Sequence, residues 1–230
     1  MRLAGKVCFI TGTAGGQGLA AAGLFVAEGA TVVGCDIADG VDLADYAQAA
    51  RWIEDGVAEH GRIDVLYNNA SATRVGPFDE FTLEDWRFVM RNELDLIFNA
   101  TKAAWPHLGG GLIINTASVS AWRGARFTEQ AAHGAAKGGV LAITRHFAAS
   151  GAKYGIRANS ISPGLTVTPQ IAEFLEDPDH PMQAMARSHP LGRLGTPEDV
   201  ARVAVFLASD DAAYLNAVDI VVDGGQSVIV

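Results

Sequence analysis

The sequence predicts an α/β fold: a doubly wound parallel sheet of about seven strands with helices on both faces, in a single domain spanning 1–230. Three observations predict it. Apolar runs of strand length alternate with segments of helical periodicity, which is the pattern of parallel strands joined by crossover helices. At 230 residues, 49% of them hydrophobic, the chain is long enough for one sizeable core. No repeat, low-complexity segment or linker divides it.

Taken in order, the strands read as Lys6–Thr11, Thr31–Asp36, Asp64–Tyr67, Leu112–Ala117, Arg157–Ser162 and Ala217–Val222, with a short seventh strand expected at Asp42-Leu43. Helices are expected over Gln17–Glu28, Asp45–His60, Leu83–His107, about Ala131–Tyr154, and Pro197–Ser209. Thr82-Leu-Glu-Asp85 and Thr196-Pro-Glu-Asp199 have the form of helix starts, a hydroxyl followed three residues later by a carboxylate, the second with proline at the first helical position. Between Asp36 and Asp42 too few residues intervene for a crossover helix. The stretch 169–190, rich in proline and large apolar residues, is expected to be a substrate lid rather than a regular element.

Composition narrows the function classes. The formal net charge is −9, which argues against nucleic acid as a partner. No apolar run approaches the roughly 20 residues of a membrane-spanning helix. The N-terminal residues enter a strand almost at once and lack the pattern of a signal peptide. Cys8 and Cys35 both fall in predicted strands and read as reduced, buried packing residues, so a cytoplasmic location is expected.

The first strand ends in Thr11-Gly-Thr-Ala-Gly-Gly-Gln-Gly18 and turns into a helix. Glycines let the backbone pass tightly there, and they let a pyrophosphate approach the helix N-terminus, whose free N–H groups and dipole favour an anion. Asp36 ends the second strand, where a carboxylate accepts hydrogen bonds from ribose hydroxyls and repels a 2′-phosphate. No Lys or Arg stands at 12–18 or directly after Asp36 to receive such a phosphate, so the expected cofactor is NAD rather than NADP.

With Asn68-Asn69-Ala70, Asn92, Ser118, Lys137 and Pro163-Gly164, this turn resembles the short-chain dehydrogenase/reductase family over essentially the whole chain. The resemblance implies a Rossmann-like sheet and a nicotinamide cofactor held by Gly12, Thr13, Gly16, Gln17 and Gly18, with Asp36 and Ile37 on the adenosine side. It implies that Asp42 and Leu43 flank the adenine, and that Asn69, Ala70, Ser71 and Thr116 pass beside the ribose. It also implies that Pro163, Gly164, Thr166 and Thr168 hold the carboxamide. The family usually has a helix between the positions of Asp36 and Asp42, so its loss should open the adenine side. It usually has glycine where Ser71 stands.

For the chemistry, the resemblance implies that Ser118 polarises the substrate oxygen, that Lys137 holds the nicotinamide ribose, and that Asn92 supports a water chain to Lys137. The departure lies four residues before Lys137, where the family has a tyrosine and this chain has His133. A phenol titrating near ~10 needs a lysine to act as a base at neutrality, whereas an imidazole titrating near ~6.5 does not. The positive charges of Lys137 and an oxidised nicotinamide should keep the ring neutral, which suits taking a proton from an alcohol. Standard bond lengths leave the imidazole tip roughly 2 Å short of a tyrosine hydroxyl, a gap one water can bridge.

Three readings of His133 stand together: the working proton carrier, the mark of a member whose redox chemistry is lost or replaced by non-redox chemistry, and a bystander beside another relay. None of Tyr46, Tyr67, Tyr154 and Tyr214 occupies a position to replace the missing phenol. The expected reaction is interconversion of a small secondary alcohol and a ketone. Arg123 and Arg126 read as solvated arginines more readily than as an anion site, and Trp122, Phe127, Phe174, Met182 and Met185 as an apolar pocket wall. The helix at 83–107 and the small-residue helix carrying His133 resemble the family's dimerising pair, implying a homodimer or homotetramer.

Overall fold

The computed structural model describes residues 1–124, 129–177, 183, 186–187 and 189–229, the side chains of 169, 170, 173 and 174 excepted. Six strands form one parallel sheet: β1 (Val7–Thr11), β2 (Thr31–Cys35), β3 (Val65–Asn68), β4 (Leu112–Thr116), β5 (Arg157–Pro163) and β6 (Asp219–Val222). Their spatial order is β2-β1-β3-β4-β5-β6, so the winding reverses between β1 and β3. Such a reversal opens a crevice beyond the carboxyl ends of the strands.

The helices are α1 (Gly16–Ala27), α2 (Tyr46–His60), α3 (Leu83–Met90), α4 (Leu96–Ala104), α5 (Ala131–Gly151), α6 (Pro169–Glu176) and α7 (Pro197–Ala208). Alternation along the strands feeds two cores. Phe9, Leu66 and Ile113 pack against Trp52 and Ile53 of α2, Ile97 of α4 and Val140 of α5. Ile10, Tyr67 and Ile114 pack on the opposite face against Phe25 of α1 and Val200, Val205 and Leu207 of α7. Side chains that point to alternate faces every second residue produce this division. Each fully buried large apolar side chain contributes about 1.5–3 kcal/mol. Cys8 and Cys35 are buried free thiols. Among the described residues no helix is long and apolar enough to cross a membrane.

Four expectations are corrected. The sheet has six strands among the described residues, because Asp42-Leu43 forms none. The Asp42 amide is taken by the Gln48 side chain at 2.9 Å instead of a neighbouring strand, and Leu43 plugs the core beside α2. The crossover helix is indeed missing there: a single 3₁₀ turn, Ile37–Asp39, closed by Gly40 at φ 82°, connects β2 towards α2.

The segment expected as one helix over Leu83–His107 is interrupted by a π-helical turn at Arg91–Asp95 and ends in a 3₁₀ turn at Trp105–His107. The last strand starts at Asp219 rather than Ala217, whose φ of 61° takes it out of extended conformation. The first part of 169–190 is a regular element after all, the helix α6. Arg126, Phe127, Met182 and Met185 lie outside the described residues, as does the side chain of Phe174. Both anticipated capping boxes form: Thr82 with Asp85 at the start of α3, and Thr196 with Asp199 at the start of α7.

Candidate active site

One cleft of about 740 Å³ runs along the carboxyl edge of the sheet. Gly12, Asp36, Asn69, Ser118 and Gly164, each just past the end of a different strand, all line it. The chain reversals at the strand ends therefore gather residues far apart in sequence onto one wall.

At the β1–α1 turn, Gly12 adopts φ 77°, and a Cβ there would lie 2.9 Å from the Cα of Ala70. A Cβ on Gly18 would lie 1.9 Å from the Gly12 carbonyl oxygen. Gly18 thus lets helix and strand touch rather than facing the cleft. Gly15 caps α1 with no side-chain hydrogen bond, so the first-turn amides are left to a ligand, as an anion site requires. Gly16, Gln17 and Thr168 border this end of the cleft. Thr13 turns its hydroxyl to the Cys35 carbonyl at 3.4 Å and is not part of the cleft wall.

Thr11 was not anticipated as a site residue. Its hydroxyl oxygen accepts from the amides of Asn69 and Ala70, both at 2.9 Å, and the Asn69 side chain donates to the Thr11 carbonyl at 3.2 Å. These bonds hold the β3 exit against the glycine turn. On the adenosine side, Asp36 accepts from Ala38 N and Ala14 N, each at 3.0 Å, and Ile37 is exposed beside it. Asp42 pairs with Arg91 at 3.2 Å. The fit to a dinucleotide is good: uncapped amides for a pyrophosphate, a carboxylate for ribose hydroxyls, and the exposed face of Ile37 with Leu43 for a base.

At the other end stand Ser118, His133 and Lys137. Ser118 opens a short 3₁₀ turn and accepts from Ser120 N at 3.1 Å; it lines the cleft, while Ser120 is held by Gln130 at 2.8 Å. Thr116 is nearly buried and presents its carbonyl to Lys137 Nζ at 3.0 Å. Burial pushes the Lys137 ammonium below its ordinary pKa, and the nearby charge of Glu93 opposes that shift. Asn92 lies in the π turn and lines the cleft, with its amide group donating to the Phe88 carbonyl at 2.8 Å. Pro163 and Gly164 complete this end. Thr166 is set back from it: the residue is 6% exposed and its hydroxyl donates to the Gly164 carbonyl at 3.2 Å.

Like Thr11, Glu93 is a residue that sequence reasoning missed. Fully buried, it places both carboxylate oxygens on His133 Nδ1, at 2.8 and 2.9 Å. Ser71 donates to the same carboxylate at 3.1 Å, and Lys137 donates to Ser71 Oγ at 3.5 Å. Besides the Lys137 and nicotinamide charges expected near the imidazole, a carboxylate touches it. A signal did exist, since Glu93 falls in the buried stripe Val89, Ile97, Ala100 and Ala104, where an acidic residue calls for a partner. The tyrosines all stay clear of the cleft wall; Tyr67, fully buried in the core beneath α1, has its phenol pushed up to about 12 by desolvation. Arg123 spends its guanidinium on the Gln226 carbonyl at 2.8 Å.

Residues 12–227 match the family model described as enoyl-(acyl carrier protein) reductase. The 3-oxoacyl-[acyl-carrier-protein] reductase FabG of Thermotoga maritima is 37% identical, covering 98% of this chain and 99% of its own. Meso-2,3-butanediol dehydrogenase of Serratia marcescens is also 37% identical, with 99% and 96% covered. The crystal structure of levodione reductase superposes with a TM-score of 0.91 at 31% identity, with 100% of both chains covered.

Proposed function

Because the chain belongs to the short-chain dehydrogenase/reductase family, we propose that it is an NAD-dependent oxidoreductase interconverting a small secondary alcohol and its ketone, with His133 as the proton carrier. The observation that carries this reading is the sharing of one cleft: Ser118, His133 and Lys137 face the same space as the uncapped N-terminus of α1 and the Asp36 carboxylate. When bound, the nicotinamide supplies the hydride acceptor or donor. Gly12, Gly16 and Gln17 receive the pyrophosphate, Asp36 the ribose hydroxyls, and Pro163, Gly164 and Thr168 the carboxamide end. The absence of Lys or Arg from 12–18 favours NAD over NADP.

The chain's own residues then divide the chemistry. Ser118 donates its hydroxyl to the substrate oxygen and orients it. A carboxylate can only accept, so ionised Glu93 places the His133 proton on Nδ1 and leaves the Nε2 lone pair for the substrate proton. A water bridges any remaining gap to the substrate hydroxyl. The butanediol relative, named for a secondary alcohol, supports the substrate class. A cytoplasmic homodimer or homotetramer belongs to the same proposal.

The test is NAD reduction by purified protein over a panel of secondary alcohols from pH 6 to 10, with His133→Ala alongside. Turnover that vanishes in His133→Ala supports the reading. Tight NAD binding by calorimetry with no hydride transfer to or from any alcohol or ketone overturns it, and points instead to a nucleotide-binding member with other chemistry.

A further inference from the structure

The buried Glu93 carboxylate has no role in the reading above beyond selecting a tautomer, yet its placement is costly. It is 0% exposed, and a charge there persists only with matched partners. Those partners come from two other segments: His133 on α5, and Ser71 after β3, through which Lys137, also on α5, is reached. The π turn at Arg91–Asp95 has Glu93 as its one fully buried residue, and single π turns in otherwise α-helical segments recur at functional sites.

We propose that Glu93 is the positioning residue of the proton carrier, that His133 and Glu93 work only as a matched pair, and that Ser71 locks the pair to Lys137. This rests on the oxidoreductase reading. In the oxidative direction the substrate O–H bond breaks and its proton passes to His133 Nε2, while the C–H bond breaks with its electron pair and the hydride goes to the oxidised nicotinamide. The Nδ1 proton stays where it is, shared with Glu93, so the new imidazolium meets a carboxylate already at 2.8 Å. After the ketone departs, the Nε2 proton is lost to solvent through the cleft, which the His133 side chain reaches at 16% exposure. With neutral imidazole, Lys137 and Glu93 balance one another; with imidazolium, Glu93 faces two cations and neither is left alone.

The pairing carries a consequence that a lone histidine would not have. Replacing the imidazole alone by a phenol removes the Nδ1–H that meets both Glu93 oxygens and leaves the buried carboxylate with the Ser71 hydroxyl, so His133→Tyr should be poorly active. The double variant His133→Tyr/Glu93→Leu removes that buried charge and should recover turnover.

The experiment measures kcat and KM for the best alcohol, NAD affinity by calorimetry, and thermal unfolding, for wild type, Glu93→Gln, Glu93→Leu, His133→Tyr and the double variant. The expected result is a fall in kcat of roughly a hundredfold in Glu93→Leu, the range of a misplaced catalytic group, with KM and NAD affinity within about threefold of wild type. The double variant should exceed His133→Tyr by roughly tenfold or more, because single and double changes at coupled residues do not add.

A Glu93→Leu enzyme that keeps kcat within twofold, or a double variant no better than His133→Tyr, overturns the proposal while leaving wild-type turnover, and hence the oxidoreductase reading, intact. No NAD-linked turnover in wild type instead sinks that reading. If Glu93→Leu fails to fold, Glu93→Gln decides: it keeps shape and an acceptor but loses the charge, and unchanged kcat there also overturns the pair.

Discussion

Lys137 donates to the Thr116 carbonyl at 3.0 Å from a buried position on α5, where the end of β4 meets the cleft. An ammonium held this way is dehydrated, and its pKa is lowered by that burial, with Glu93 opposing. Because the folded value lies below the unfolded 10.5, the unfolded chain binds more protons between the two, and this group's contribution to stability rises with pH across that window. Below the window its burial penalty is fully present. Lys137→Met removes both the penalty and the rise. Urea unfolding at intervals from pH 7 to 10.5 should show the wild type gaining on the variant as pH increases; a constant difference contradicts the assignment.

Thr11 joins two loops through one oxygen, accepting from Asn69 N and Ala70 N. Thr11→Val keeps the shape of the side chain but leaves both amides without their acceptor, at a cost of about 2 kcal/mol. Since the same bonds place the β3 exit beside the glycine turn, NAD affinity should fall as well. Thr11→Ser should retain both. Chemical denaturation with calorimetry separates the two effects, and a Thr11→Val protein of wild-type stability refutes the account.

Asp36 offers a carboxylate at the end of β2 beside an exposed Ile37. Asp36→Ala removes the acceptor for ribose hydroxyls and the repulsion of a 2′-phosphate. The ratio of NADP to NAD affinity should rise by at least about tenfold, equivalent to ~1.4 kcal/mol. Competition binding with both nucleotides reads it directly, and an unchanged ratio counts against Asp36 as the selector.

Asp199 closes the capping box of α7 and pairs with Arg193 at 2.6 Å. Its carboxyl is lowered to about 2, with the Arg193 hydrogen bond the largest cause. A depressed carboxyl stabilises the fold above its unfolded value, 3.8, and loses that contribution as pH falls through about 2. Asp199→Asn should cost about 1 kcal/mol at neutral pH, the range of a lost helix cap, and should show less of the acid-side decline. Thermal unfolding between pH 2 and 7 checks both, and parallel curves for the two proteins would be inconsistent with it.

Legibility in the sequence followed locality. The alternating strands of one sheet, the Thr82 and Thr196 helix starts, and the Gly12–Gly18 turn before α1 all depend on residues within a few positions of each other, and each was visible as spacing. The loss of the crossover helix after Asp36 was legible too, because five residues cannot span a sheet with a helix. The strand expected at Asp42-Leu43 was not, since it turned on whether the Asp42 amide would find a strand or the Gln48 side chain. The single helix expected over Leu83–His107 hid a π turn, because a one-residue insertion in a helical ladder leaves no mark on a hydrophobic pattern that tolerates such drift.

By itself the sequence determined the parallel α/β sheet and the glycine turn before α1, because periodicity and glycine conformation are local properties, while the family resemblance implied that Ser118, His133 and Lys137 share one edge. Only the tertiary structure decided what His133 touches. Glu93 lies forty positions away, buried on a different helical segment, and Ser71 reaches the same carboxylate from a third segment. A buried charge is acceptable only where chain folding brings its partners together, and no spacing along the chain states that three-body condition.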